Sequence, residues 1–197
     1  MYPDDIDPHS GCRLPLPRRD ELSGEALAAF DRLADPAGGT LRGLRGPGGI
    51  QLHSPELSRR SRPLNHYLRY ESGLSGRIRE LAILVTAREC DSQFEWAAHA
   101  DEARREGVPP AVIEAVRRRR GLDGIAETDA IIIALGREIF GARKVASATY
   151  ARAVGHFGRR ALVDLVALMG NYAATAALLT AFDMQLDPGQ EPGLPAL

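Results

Sequence analysis

The chain has 197 residues, a formal net charge of −1, and 26% charged against 44% hydrophobic residues. That length fits one domain with a sizeable core, and the composition is that of an ordinary globular protein. A net charge this close to zero gives no overall electrostatic reason to bind nucleic acid or an anionic membrane.

The two cysteines, Cys12 and Cys90, stand far apart in no metal or redox spacing, so a reduced, cytoplasmic protein is expected. The N-terminal stretch MYPDDIDPHSGCRLPLPRRDE has no basic segment followed by an apolar run, so no secretory signal is expected. Residues 1–17 hold four prolines and no period, which predicts a mobile or surface-draped arm. Asp20–Ala34 carries Leu22, Leu27, Ala29, Phe30 and Leu33 and predicts a modest amphipathic helix. Pro36–Gly49, PAGGTLRGLRGPGG, reads as a glycine-rich loop with no helix directly after it. It lacks the lysine and Ser/Thr of a phosphate-binding loop, which leaves a plain flexible loop or a lid over a site. Ser54-Pro55-Glu56 is a helix start, a cap followed by proline at the first helical position. Pro63 then predicts a kinked or broken helix over Ser54–Tyr70.

The richest stretch is Ser75–Gly107, SGRIRELAILVTARECDSQFEWAAHADEARREG, which predicts two helices meeting at a short joint. Ser75 caps the first, and Ile78, Leu81, Ile83, Leu84, Val85 and Ala87 make it apolar nearly all round. Glu80 shares a face with Ile83, Leu84 and Ala87. The second helix begins at Ser92 and stacks Glu95 and His99, four apart, on one face. An antiparallel pairing of these helices would bring two carboxylates and an imidazole together in a largely dry place.

Pro109-Pro110 opens a short helix that ends in Arg117–Arg120 and Gly121. Cations there complement the helix dipole, and no aromatic residues interleave, so a nucleic-acid patch is not expected. Glu127–Phe140 predicts a buried helix, Ser147–Phe157 a short one, and Gly158–Asp183 a long Ala-rich one. Ala173, Ala177 and Ala181 would let another backbone approach closely. Gly170, Asn171, Tyr172, Thr175 and Thr180 interrupt Leu165–Phe182, which reads as too weakly apolar for a membrane span of about 20 residues. No hairpin signal occurs, so the class is all-α with seven or eight helices.

A carboxylate on an apolar face is pushed toward neutrality, and histidine titrates there already. Glu80, Glu95 and His99 could therefore exchange protons with a small substrate. Bland readings exist for each. Ser92-x-x-Glu95 is also a capping box, Glu80 could pair with Arg77 on its own helix, and His99 could be a packed core residue. Trp96 reads first as core, and Cys90 as a small buried hydrophobe. Two carboxylates and a histidine could ligate a divalent ion, but neither HExxH nor ExxH spacing is present.

The segments GRIRELAILVTAREC, DSQFEWAAHADEARREGVPPAVIEAV, YARAVGHFGRRALVDLVALMGNYAATAALLTAFDM and QLHSPELSRR resemble the carboxymuconolactone decarboxylase family, within the AhpD-like superfamily. The likeness covers roughly residues 50–184 and centres on RELAIL and EWAAH. It implies an AhpD-like helical bundle over 51–186, preceded by an arm, helix and loop over 1–50 and followed by a disordered tail over 187–197. It also implies a cofactor-free homo-oligomer, trimer or hexamer with dimer possible, whose sites lie near subunit contacts.

By the same likeness, Glu80 and His99 match the glutamate and histidine of the superfamily's peroxidase branch, while Ser92 and Glu95 stand where its two cysteines would be. The decarboxylase-like branch keeps the glutamate and histidine and often has this EWxxH form. Its reference reaction removes carbon dioxide from a carboxylated unsaturated lactone, whose conjugated carbonyl holds the developing charge. The implied roles are His99 as proton donor, Glu80 as its orienting partner and Glu95 as second acid/base. Ser92, His53, Arg69, Arg77 and Trp96 form the expected substrate-binding set, with His53 or His66 closing the mouth. The competing readings are a thiol-dependent AhpD-like antioxidant and a non-catalytic helical oligomer.

Overall fold

The computed structural model describes residues 2–37 and 41–195. Among them are eight α-helices and no β-strand, beyond an isolated antiparallel bridge between Asp7 and Cys12. The helices are α1 (Gly24–Ala34), α2 (Pro47–Gln51), α3 (Pro55–His66), α4 (Gly76–Glu89), α5 (Gln93–Arg105), α6 (Pro110–Arg117), α7 (Glu127–Gly136) and α8 (Ser147–Ala181). The all-α class follows the apolar periodicity directly. The chain divides into two compact units, Met1–Leu64 with Ala177–Glu191 and Asn65–Ala176 with Pro192–Leu197. That division differs from the expected boundary at residue 50, because the end of α8 belongs with the N-terminal residues.

In the first unit the N-terminal residues are not a loose arm. Ile6, Ser10 and Cys12 are buried. Arg13 N–H donates to the Phe182 carbonyl at 2.8 Å and Gln185 N–H to the Gly11 carbonyl at 2.8 Å. Main-chain hydrogen bonds of this kind leave no period in the sequence, which is why proline content alone misled. α2 begins inside the glycine-rich stretch, with Pro47 in its first turn, so Pro47–Gly49 are helical where a loop is expected. Residues 38–40 of the expected loop lie outside the described residues.

The second unit is built on α4. Its residues Arg79 to Arg88 are all buried, as a helix apolar on every side requires. It packs against α5, α6 and α7. Where α7 crosses, a Cβ on Gly136 would fall 2.2 Å from Val85 Cγ1, so only glycine allows that approach. α3 continues through Pro63 and passes into a π-helical turn, Tyr67–Glu71. α8 is interrupted at Gly158, whose φ of 75° and ψ of 166° are not helical, so it consists of two helices that meet at a kink where the sequence predicts the boundary.

α8 is long and apolar enough to cross a membrane by length and composition, with a mean hydropathy of 1.6 over its best 18 residues, 44% of which are buried inside the protein. The segment is thus more apolar than its interruptions by Gly170, Asn171, Tyr172, Thr175 and Thr180 suggest, because its many alanines add to the hydropathy. One stripe, with Leu165, Leu168 and Met169, is buried, while Val163, Val166 and Ala174 face outward.

The C-terminal residues also depart from the expected disorder. Leu194 is buried, its N–H and C=O pair with the Gln93 side-chain amide at 2.9 and 2.9 Å, and Arg117 Nε donates to the Gly193 carbonyl at 2.5 Å. The arginine run is likewise spent inside the chain. Arg118 and Arg117 reach Glu114, and Arg119 reaches Glu89 at 3.3 Å.

Candidate active site

The joint between α4 and α5 fixes the site. Asp91, in the left-handed conformation with φ of 51°, donates its N–H to the Arg88 carbonyl at 3.1 Å, and Ser92 N–H reaches the Ala87 carbonyl at 2.8 Å. These two bonds form a Schellman closure of α4. Ser92 then starts α5, its Oγ accepting from Glu95 N–H. Because the Ser92 amide is already committed to α4, the Glu95 carboxylate has no return partner there. The capping-box explanation of Glu95 therefore fails, and its side chain turns to His99 instead.

Glu80, Glu95 and His99 come together in the second unit, 0%, 4% and 4% exposed. His99 Nδ1 lies 2.7 Å from Glu80 Oε2. His99 Nε2 lies 3.7 Å from Glu95 Oε2, in line of sight but too far for a direct hydrogen bond. Tyr172 of α8 sets its ring edge-on to the imidazole, centroids 5.3 Å apart. The imidazole is thus held by a carboxylate on one nitrogen, an aromatic ring at its side and a second carboxyl beyond its other nitrogen.

Two arginines flank Glu80. Arg79 Nε donates to Glu80 Oε1 at 3.0 Å, and its other nitrogens reach the Arg69 carbonyl at 2.8 Å and Glu106 at 3.3 Å. Arg69, presented by the π-helical turn, brings Nη2 to 3.8 Å from Glu80 Oε1. Its Nε is buried and has no hydrogen-bond partner among the described residues. Both guanidiniums lie over the Tyr70 ring, at 5.1 and 5.5 Å.

These surroundings split the two carboxyls. Burial works against the Glu80 carboxylate, but the hydrogen bond and charge of His99, with Arg79 and Arg69 beside it, hold its carboxyl below the usual range. Burial pushes Glu95 up, and His99 and Arg69 only partly oppose it. Burial likewise raises the Tyr172 phenol, so it stays protonated. An ionised Glu80 fixes the proton on His99 Nδ1 and leaves Nε2 toward Glu95, whose carboxyl burial favours in its protonated form.

Of the expected substrate-binding residues, only Arg69 joins this cluster. Arg77 points away, its guanidinium gripping the buried Asp129 in a two-pronged pair at 2.8 and 2.7 Å, which also removes the in-helix pairing proposed for Glu80. His53 belongs to the first unit, where its Nε2 meets the Pro15 carbonyl at 2.8 Å. His66 is exposed and pairs with Glu71 at 3.0 Å. Trp96 is core, packed so closely under the C-terminal residues that a Cβ on Gly193 would fall 2.6 Å from it. Ser92 acts as a cap. Arg79 and Tyr172 were not anticipated. The signal for Arg79 was available, since a charged pair, Arg79-Glu80, sits inside a helix otherwise apolar all round.

Among the described residues no three His, Cys, Asp or Glu side chains are arranged to hold a metal ion. Residues 55–135 match the model of the carboxymuconolactone decarboxylase family. The likeness is to that family and is confined to this stretch. It covers less than half of the chain and holds Arg69, Glu80, Glu95 and His99. Tyr172 and the rest of α8 lie beyond the match, which is shorter than the span over which the sequence resembles the family. Comparison with curated proteins gives no match. That likeness points to decarboxylase or AhpD-like function and leaves the reaction to be argued from the side chains.

Proposed function

We propose that the protein is a lyase acting on a small carboxylated lactone or a related acid, with Glu80, His99 and Glu95 moving the proton. The observation that carries this is the single buried imidazole set between two carboxyls, 2.7 Å from Glu80 Oε2 and 3.7 Å from Glu95 Oε2. The bond from ring carbon to carboxylate breaks, carbon dioxide leaves, and the electron pair passes into the conjugated carbonyl as an enolate. Glu95 passes its proton to His99 Nε2, the imidazolium so formed delivers it to the enolate carbon, and Glu95 is reprotonated from water for the next turnover. Glu80 orients the ring and balances its charge, as the acid of a hydrolase triad does. Arg69, with its unsatisfied Nε, meets the substrate carboxylate and then the enolate. Such chemistry asks of the protein only binding, charge stabilisation and one proton.

The thiol reading finds less support. Ser92 and Glu95 occupy the expected cysteine positions, and burial, with Glu89 nearby, pushes the Cys90 thiol up, away from the reactive thiolate. A second copy of the chain completes the proposal. The outward face of α8, with Val163 67% exposed, is the surface on which a homo-oligomer would close.

The test is carbon dioxide release, or ring rearrangement, from a panel of carboxylated lactones. Activity in the wild type that disappears in His99→Ala is expected. Full activity in that variant ends the proposal.

A further inference from the structure

A cavity of about 140 Å3 in the first unit lies away from the residues discussed above and has no assigned role. One wall is a face of α1, where Ala26, Ala29 and Arg32 recur at helical spacing; the other is the start of α3, with Pro55, Arg59 and Arg62. Leu52, almost fully buried, closes the floor. The charges are unbalanced. Arg59 is committed to Glu56, through Nε and Nη2 at 2.8 and 2.8 Å, and its Nε is 3.8 Å from Glu25. Arg32 and Arg62 have neither a hydrogen-bond nor an ion-pair partner among the described residues. Burial and the charge of Arg62 both work against the charged form of Arg32.

We propose that this cavity binds a small amphiphilic anion, its carboxylate or phosphate head between Arg32 and Arg62 and a short apolar body against Ala29 and Leu52. Arg32 and Arg62 both line the cavity and carry like charge, and an anion between them relieves their repulsion while using the fork geometry of both. The volume suits only a few heavy atoms, since a single water takes about 30 Å3. The apolar lining then favours a short-chain acid over a bare ion.

Calorimetric titration of the full-length protein with sodium butyrate and, separately, with inorganic phosphate tests this, with sodium chloride as the reference salt. Saturable one-to-one binding of either anion is expected, weakened at least about tenfold by Arg32→Gln and by Arg62→Gln. The anion that binds should raise the Tm of the wild type and not of these variants. No saturable binding of either anion overturns the proposal, as does binding that both variants keep. Binding abolished by Arg69→Gln but retained in Arg32→Gln would place the anion at the Glu80 cluster and overturns it equally.

Discussion

His99 Nδ1 stands 2.7 Å from Glu80 Oε2, in a setting where neither residue is more than 4% exposed. A hydrogen bond this short between an imidazole and an ionised carboxylate decides which nitrogen holds the proton and which way the ring faces. It leaves Nε2 as the working atom, turned to Glu95. Replacing His99 by Ala removes that atom, and a loss of about 100- to 10,000-fold in kcat/KM is expected from a lost acid/base. Glu80→Gln keeps an acceptor for Nδ1 but not the charge, so it should lose less and move the pH profile of kcat/KM. An unmoved profile in Glu80→Gln would leave Glu80 a purely structural partner.

Arg79 makes a different prediction, because it serves three acceptors at once: Glu80, the Arg69 carbonyl and Glu106. Removing one partner of a buried ion pair strands the other, and Arg79→Met should cost about 3–5 kcal/mol of stability by denaturant unfolding. Lysine offers a single point charge and cannot span three directions, so Arg79→Lys should recover little of it. A loss under about 1 kcal/mol in Arg79→Met would mean that Glu80 is adequately held by His99 and Arg69 alone.

The parts of this arrangement that were legible in the sequence are the local ones. Ser75 and Ser92 cap their helices because capping depends on three or four consecutive residues. The four-residue spacing of Glu95 and His99 fixes their shared face whatever packs against it. Partners from distant elements were not legible in the same way. Arg77 looked like an in-helix partner for Glu80 and instead found Asp129, 52 residues away on α7. Tyr172 reaches His99 from α8, and its only trace was an aromatic residue interrupting an alanine-rich run. The N- and C-terminal stretches were misjudged for a related reason. Their order rests on main-chain hydrogen bonds and on clamps such as Gln93 on Leu194, which have no periodicity to detect.

The pairing of Arg77 with Asp129 separates stability from chemistry. Asp129 is fully buried and Arg77 supplies both of its hydrogen bonds, so Arg77→Ala should destabilise the fold by about 3 kcal/mol. Since Arg77 does not reach the cluster, kcat/KM of the folded fraction should stay within about twofold of wild type. A large fall in kcat/KM with little change in unfolding would instead return Arg77 to the substrate-binding set.

Glu95 and Glu80 should leave opposite marks on the pH dependence of stability. Glu80 is held below its ordinary value, so what it contributes is present above about pH 4.3, the unfolded carboxyl value, and is lost as pH falls through its folded pKa. Glu95 is raised by burial. Above about pH 4.3 the unfolded chain releases a proton that folded Glu95 keeps, and stability therefore declines as pH rises toward its folded pKa. Glu95→Gln removes this decline. The variant should unfold at a higher Tm than wild type at pH 8, with a flatter Tm–pH curve, while carbon dioxide release falls. That combination is the mark of a residue retained for chemistry at the expense of stability. Identical Tm–pH curves for the two proteins would mean that Glu95 is ionised in the fold, and the proton held for His99 would have to come from elsewhere.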